Sequence, residues 1–121
     1  TTNMFGDILS DEASEIAGGL GLAGSLNAGD KFAVAQAAHG SAPDIAGQDK
    51  ANPVAFLQSV AMLLEHLGAR KDRRDLTDAA ETLKRETDAL LASPATRTPD
   101  LGGRCGTKAF TAALVAAINA G

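Results

Sequence analysis

Residues 39–47 read His39-Gly40-Ser41-Ala42-Pro43-Asp44-Ile45-Ala46-Gly47, with two Gly, one Pro and one Asp in nine positions. That density of residues that interrupt regular structure predicts a loop or turn. The spacing is not Gly-x-Gly-x-x-Gly, so the ordinary Rossmann argument does not apply. Small side chains still let a ligand approach the backbone closely, and Asp44 can accept hydrogen bonds from a ribose diol. A carboxylate in that role favours NAD over NADP, whose 2′-phosphate it repels. The plain alternative is a surface turn with His39 as a structural or exposed residue.

Towards the N-terminus, Phe32-Ala33-Val34-Ala35 is a short apolar run that predicts a buried strand, whereas Gly24 to Asp30, small and polar, reads as a loop. Leu9, Ala13, Ile16 and Leu20 recur at intervals of four, three and four, the stripe of an amphipathic helix. That helix is expected after a short extended entry and before Gly18-Gly19 and Gly21. Towards the C-terminus, Asn52-Pro53 is a helix opening, with Asn at the cap and Pro at the first helical position. Val54, Leu57, Ala61, Leu64 and Leu67 share one face of this helix. Phe56, Val60 and Leu63 make its other sides apolar, which predicts burial all round. Gly68 is expected to stop it, and His66 can cap its last carbonyls. A polar connection, Arg70-Lys71-Asp72-Arg73-Arg74, reads as a solvated charge run. Leu76, Ala80, Leu83, Thr87 and Leu90 then form a second helical stripe, with Glu81 and Arg85 spaced to pair, ending near Ser93-Pro94. A loop through Pro99-Asp100-Leu101-Gly102-Gly103 leads to a last helix, capped by Gly106 or Thr107 and running through Phe110, Leu114, Ala117 and Ile118.

Composition narrows the functions. The 121 residues and 45% apolar content suit one soluble core, and no run reaches the ~18 apolar residues of a membrane span. Asp7 and Asp11 stand where a secretory signal carries bases, and a lone Cys105 excludes an internal disulfide or a multi-thiolate zinc site. These features point to a reducing, cytoplasmic setting. A net charge of −4 with pI near 5.0 argues against nucleic acid or an anionic membrane as partner. There is no Tyr and no Trp, so a tyrosine acid or an aromatic stacking platform has to come from elsewhere.

Five acids and no base precede Lys31. Asp7 and Asp11, four apart on a helix, lie on one face with Cβ atoms ~5–6 Å apart, within reach of one hard divalent ion such as Mg²⁺ or Mn²⁺. Two ligands do not close a coordination sphere, so water, substrate or another chain must complete it. Acidic residues near a helix N-terminus also favour the macrodipole, which is the structural alternative.

Taken in order, Thr2-Asn3-Met4-Phe5-Gly6-Asp7-Ile8-Leu9-Ser10-Asp11, Gly18-Gly19-Leu20-Gly21, His39 to Gly47, Ala51-Asn52-Pro53, and Arg97-Thr98-Pro99-Asp100-Leu101-Gly102-Gly103 with Gly106-Thr107 and Phe110 behind it closely resemble the isocitrate/isopropylmalate dehydrogenase family of metal-dependent β-decarboxylating dehydrogenases. The resemblance runs the whole length of the chain and matches the C-terminal portion of the longer family chain. It implies an α/β fold, here the helix-rich C-terminal portion of an isopropylmalate-dehydrogenase-like fold with non-Rossmann dinucleotide binding. Residues 1–23 would end the metal- and substrate-binding domain, and residues 24–121 would form the C-terminal part of the cofactor domain.

The resemblance further implies that Asp7 and Asp11 bind Mg²⁺ or Mn²⁺, together with an aspartate of the neighbouring subunit of a homodimer. The loop of His39, Gly40, Ser41, Ala42, Pro43, Asp44 and Ile45 would hold the adenosine part of NAD. Asp44 would take the ribose diol, Asn52 would lie near adenine, and Asp100 would contribute from the C-terminal signature. NADP-using members carry Lys and Tyr at the positions of Asp44 and Ile45, and Tyr and Arg at those of Pro99 and Gly103, so all four choices here match the NAD form. The reaction implied is oxidative decarboxylation of a 2-hydroxy acid bearing a β-carboxylate, such as isopropylmalate, isocitrate or tartrate. Two features depart from the pattern. Gln36 stands where the family usually has an acid, and the family's catalytic tyrosine and lysine, its substrate-clamping arginines and the partner's aspartate belong to segments before the position of Thr1. The isolated chain is therefore expected to be inactive, with no catalytic residue of its own. A non-catalytic helical binding or assembly module, or a piece complementing a separate N-terminal chain, are the alternatives.

Overall fold

A computed structural model describes residues 2–17 and 19–121. Its elements are helix α1 (Asn3–Ala17), strands β1 (Gly24–Ala28) and β2 (Ala33–Ala37), and helices α2 (Val54–Lys71), α3 (Arg74–Ala92) and α4 (Thr107–Ala120), with single 3-10 turns at Leu20–Leu22, Pro43–Ile45 and Pro99–Leu101. The fold is α/β and helix-rich.

The expected loop at Gly24 to Asp30 is instead mostly strand. β1 and β2 form an antiparallel hairpin in which Gly24 faces Ala37, Leu26 faces Ala35 and Ala28 faces Ala33. The small residues that suggested a loop are there because α2 lies on them. A Cβ on Gly24 would stand 2.7 Å from the Ser59 nitrogen, so only glycine permits this approach. Because paired residues share a face, Ala33 and Ala35 lie on the same side as Gly24 and Ala37, half-buried, whereas Val34 and Gln36 are exposed. The strand expected at Phe32 to Ala35 is thus covered on one face, and Phe32 itself is 80% exposed. The buried Ser59 joins the two layers, its Oγ lying 2.7 Å from the Gln36 carbonyl and 2.8 Å from the Ala55 carbonyl with its one proton shared between them.

α2 opens one position later than expected, with Pro53 at the N-cap and Val54 as the first helical residue, but Asn52 still serves its first turn. Asn52 Oδ1 accepts from the Val54 N–H at 3.0 Å, satisfying a donor that the first turn cannot pair internally. Gly68 does not stop the helix. A Cβ there would collide with Thr77 Oγ1, so Gly68 is the point where α3 crosses close to α2. The helix runs on to Lys71, and Asp72, left-handed at φ 50°, closes it by returning its N–H to the Gly68 carbonyl, leaving no capping task to His66. Nor is α2 buried all round: Val54, Ala55, Ser59, Ala61 and Gly68 are, but Phe56 is 60% exposed. On α3, Arg85 pairs with Glu86 at 2.8 Å rather than with Glu81. α4 buries Phe110 and Leu114 against α3.

From Asn3 on, the stretch expected to hold a short extended entry is already helix α1. Its principal contact is the 3-10 turn that follows, and Met4, Phe5, Ile8, Leu9 and Ile16 are all exposed. The expected break at Gly18 lies outside the described residues. Among the described residues no helix is long and apolar enough to cross a membrane.

Candidate functional site

The loop after β2 is held in an unusual path by short-range hydrogen bonds. Pro43, with its φ preset, opens the 3-10 turn. The Ile45 and Ala46 N–H groups donate back to the Ala42 and Pro43 carbonyls at 3.1 and 3.2 Å, and Gln48 Nε2 donates to the Asp44 carbonyl at 2.7 Å. His39 Nδ1 lies 2.8 Å from the Gly40 carbonyl. A carbonyl only accepts, so Nδ1 carries a proton in this bond. Ala42 and Asp49 take left-handed φ values of 44° and 56°, and Gly47 sits between them at 75°. Each non-glycine residue in that region costs about 1–2 kcal/mol, and strain of this kind gathers where a loop must present its backbone to a ligand.

Two anchors over-determine that path. Asp49 serves the N-terminus of α4, its Oδ1 accepting from the Lys108 N–H at 2.8 Å and its carbonyl from the Thr107 N–H at 3.2 Å. Thr107 Oγ1 returns a bond to the Ala51 carbonyl at 2.5 Å. Asn52 Nδ2 donates to Asp100 Oδ2 at 2.8 Å, and the fully buried Thr98 donates through Oγ1 to Asp100 Oδ1 at 2.5 Å. The loop bearing Asp100 is itself pinned to the end of α3, where Arg97 Nε and Nη2 donate to the Leu91 and Ala92 carbonyls at 2.8 and 3.2 Å.

Between these anchors opens a cavity of about 640 Å³, within the range of small-ligand sites. Of the loop residues expected to bind a cofactor, His39, Gly40, Ser41, Ala42, Ile45 and Asn52 line it, joined by Asp100 from the C-terminal signature. Pro43 and Asp44 belong to the same turn but not to the wall. The wall also contains Gly21, Asp49, Lys50 and Thr107, which sequence reasoning passed over as binding residues. The charged Asp49-Lys50 pair so close after Gly47 was a signal for the middle two. Thr107 is brought in only by the tertiary path.

Asp7 and Asp11 are exposed on α1 and do not line the cavity. Their hard oxygen donors suit a divalent ion. Among the described residues no group of three or more His, Cys, Asp or Glu gathers to complete a shell around them.

The basic run at 70–74 is only partly a solvated connection. Arg70 and Lys71 belong to the last turn of α2, and Arg70 ties α2 to the hairpin turn by donating from Nη1 to the Gly29 carbonyl at 2.7 Å and from Nη2 to the Asp30 carbonyl. Arg73 grips Asp75 through Nε and Nη2 at 2.7 and 2.5 Å. That hydrogen-bonded guanidinium holds the Asp75 carboxyl below its ordinary range.

A family model described as isocitrate/isopropylmalate dehydrogenase matches residues 1–118. The chain is 50% identical over 118 residues to an isocitrate/homoisocitrate dehydrogenase of Thermus thermophilus, an alignment covering 98% of this chain and 33% of that protein. It is 48% identical over 115 residues to subunit 2 of the mitochondrial NAD isocitrate dehydrogenase of Saccharomyces cerevisiae, covering 93% of this chain and 29% of that one. Among solved structures, a beta-decarboxylating dehydrogenase from Thermococcus kodakarensis in its apo form superposes with a TM-score of 0.81 at 38% identity, over 98% of this chain and 32% of the other. The chain thus spans about a third of the length of the relatives it matches.

Proposed function

This chain belongs to the isocitrate/isopropylmalate dehydrogenase family, and from that premise we propose that it contributes a nucleotide cavity and two metal-binding carboxylates to an NAD-dependent β-decarboxylating dehydrogenase. The observation that carries the reading is the cavity: the loop that resembles the family's adenosine-binding loop lines it, through His39, Gly40, Ser41, Ala42, Ile45 and Asn52. Asp44 lies between Ala42 and Ile45, which both line the cavity, and takes the ribose diol once a nucleotide is seated. Its charge favours NAD over NADP. Lys50, in the wall with its Nζ 2.8 Å from Gln48 Oε1, offers a cation towards phosphate.

In this reading residues 1–23 close the metal- and substrate-binding domain and residues 24–121 belong to the cofactor domain. Asp7 and Asp11 hold Mg²⁺ or Mn²⁺ with a carboxylate from the second subunit of a homodimer. A divalent ion held by these carboxylates would supply Lewis-acid stabilisation of developing negative charge, and a dinucleotide in the cavity would supply the hydride acceptor. The substrate is a small 2-hydroxy acid with a β-carboxylate, and the setting is the cytoplasm. This stretch supplies binding groups, and the proton-transfer groups come from outside it.

Calorimetric titration of the 121-residue chain with NAD, NADP and Mn²⁺ tests the proposal. NAD is expected to bind more tightly than NADP, with Asp44→Ala weakening NAD and narrowing the difference, and Asp11→Ala is expected to abolish any Mn²⁺ signal. NAD binding that is absent, or indifferent to Asp44→Ala, would sink the cofactor reading. NAD reduction by this chain with Mn²⁺ and a 2-hydroxy acid, at a rate like that of a full-length relative, would overturn the assignment of its chemistry to other segments.

A further inference from the structure

Asp100 is the one carboxylate of the cavity wall with both oxygens engaged by side chains. Oδ1 accepts from Thr98, which is fully buried, so the carboxylate is fixed from the protein side. Oδ2 accepts from Asn52 Nδ2, on the cavity-lining loop 48 positions earlier in the chain. Asn52 is committed at its other end too, because its Oδ1 caps α2 through the Val54 N–H. The amide therefore has one donor turned to Asp100 and its oxygen turned to the helix. The space about this pair is tight, with a Cβ on Gly21 falling 3.2 Å from Asp100 Oδ2 and 3.9 Å from Asn52 Nδ2. Three segments distant in sequence, the turn after α1, the end of the cavity loop and the 97–103 loop, meet at this bond.

We infer that Asp100 is a positioning residue that acts through Asn52 rather than a nucleotide contact. It rests on the nucleotide reading above. Thr98 orients Asp100, Asp100 orients the Asn52 amide, and Asn52 sets the path of the chain as it leaves the cavity wall to enter α2. A wall fixed before the ligand arrives loses less ordering entropy on binding. A hydrogen bond to a charged acceptor is among the stronger ones, so its loss is legible in affinity.

The test is a double-mutant cycle read by calorimetry with AMP and NAD on the 121-residue chain. Asn52→Ser is the useful partner variant, since serine keeps a capping oxygen for α2 while removing the amide. Asp100→Ala and Asn52→Ser are each expected to weaken AMP binding about tenfold, and the double variant no further. Asp100→Asn retains an oxygen for the Asn52 amide, and the Thr98 hydroxyl can turn to accept instead of donate. It is expected to restore most of the affinity. Additive losses, about a hundredfold in the double variant, would make Asp100 a direct contact and overturn the inference. Unchanged affinity in Asp100→Ala would overturn it as well.

A second readout needs no ligand. In a ¹H–¹⁵N correlation spectrum the Asn52 side-chain amide is expected as a shifted, slowly exchanging pair that moves to the solvent-averaged position in Asp100→Ala and stays near its place in Asp100→Asn. An amide indifferent to both changes would overturn the network. If the unsubstituted chain bound neither AMP nor NAD, the nucleotide reading would fall, and this spectrum would still decide whether Asp100 holds Asn52.

Discussion

Gly103→Ala is expected to lower the unfolding free energy by about 3 kcal/mol or more, a large share of a small domain's stability of about 5–15 kcal/mol. The added Cβ would overlap the backbone carbonyl of Arg97. The two stretches cannot part easily, because the Gly103 N–H donates to the Thr98 carbonyl at 3.0 Å and the Cys105 N–H to the Arg97 carbonyl at 2.9 Å. Gly102→Ala provides the contrast. Its φ of 76° disfavours a side chain, yet nothing lies within 4 Å of the new methyl, so the cost is about 1 kcal/mol. Urea midpoints for the two variants measure the difference, and equal midpoints would refute the steric argument. The same overlap limits what else can stand at position 103. The family resemblance gives NADP-using members Arg at this position, which the present backbone has no room for. Gly103→Arg alone should therefore disrupt the loop before it recruits a phosphate.

Phe110→Ala should cost about 3–5 kcal/mol, the usual range for deleting a fully enclosed aromatic side chain. Phe110 has no exposed surface, and with Leu114 it makes up the buried part of α4. The described core holds few large side chains, so little remains to close over the space left behind. Val115→Ala, five residues on and 53% exposed, should change stability by less than about 0.5 kcal/mol. Thermal unfolding followed by circular dichroism distinguishes them, and a Phe110→Ala protein that melts with the parent would show that α4 is not anchored through this ring.

Much of the helical order was legible because it rests on period and punctuation. Asn52 serves the first turn of α2, α3 ends at Ala92 just before Ser93-Pro94, and Gly106 precedes α4. The failures share a cause. Gly24 and Gly68 look like breaks when read locally, and each proves to be a contact point, where the Ser59 backbone in one case and the Thr77 hydroxyl in the other comes too near for a Cβ. Nothing in the residues flanking either glycine announces what crosses there, since the crossing partner is Ser59 in one case and Thr77 in the other. The exposure of Phe56 and of the α1 stripe was equally hidden, because periodicity says which residues share a face and is silent on what covers it. At the site, loop 39–47 was readable as a loop from its composition. That Asp44 stands outside the wall while Lys50 and Thr107 stand in it follows from a chain path set by left-handed residues and by bonds spanning more than fifty positions.

α4 starts without a side-chain cap from its own N-cap residue, Gly106, and borrows Asp49 instead. The first turn of α4 and the rim of the cavity are thereby tied by the same carboxylate, so loosening one is expected to loosen the other. The Lys108 amide, bonded to that carboxylate and far along the chain, is thus a built-in gauge. Its hydrogen-exchange rate records how often the rim lets go, and any occupant that steadies the rim slows the clock.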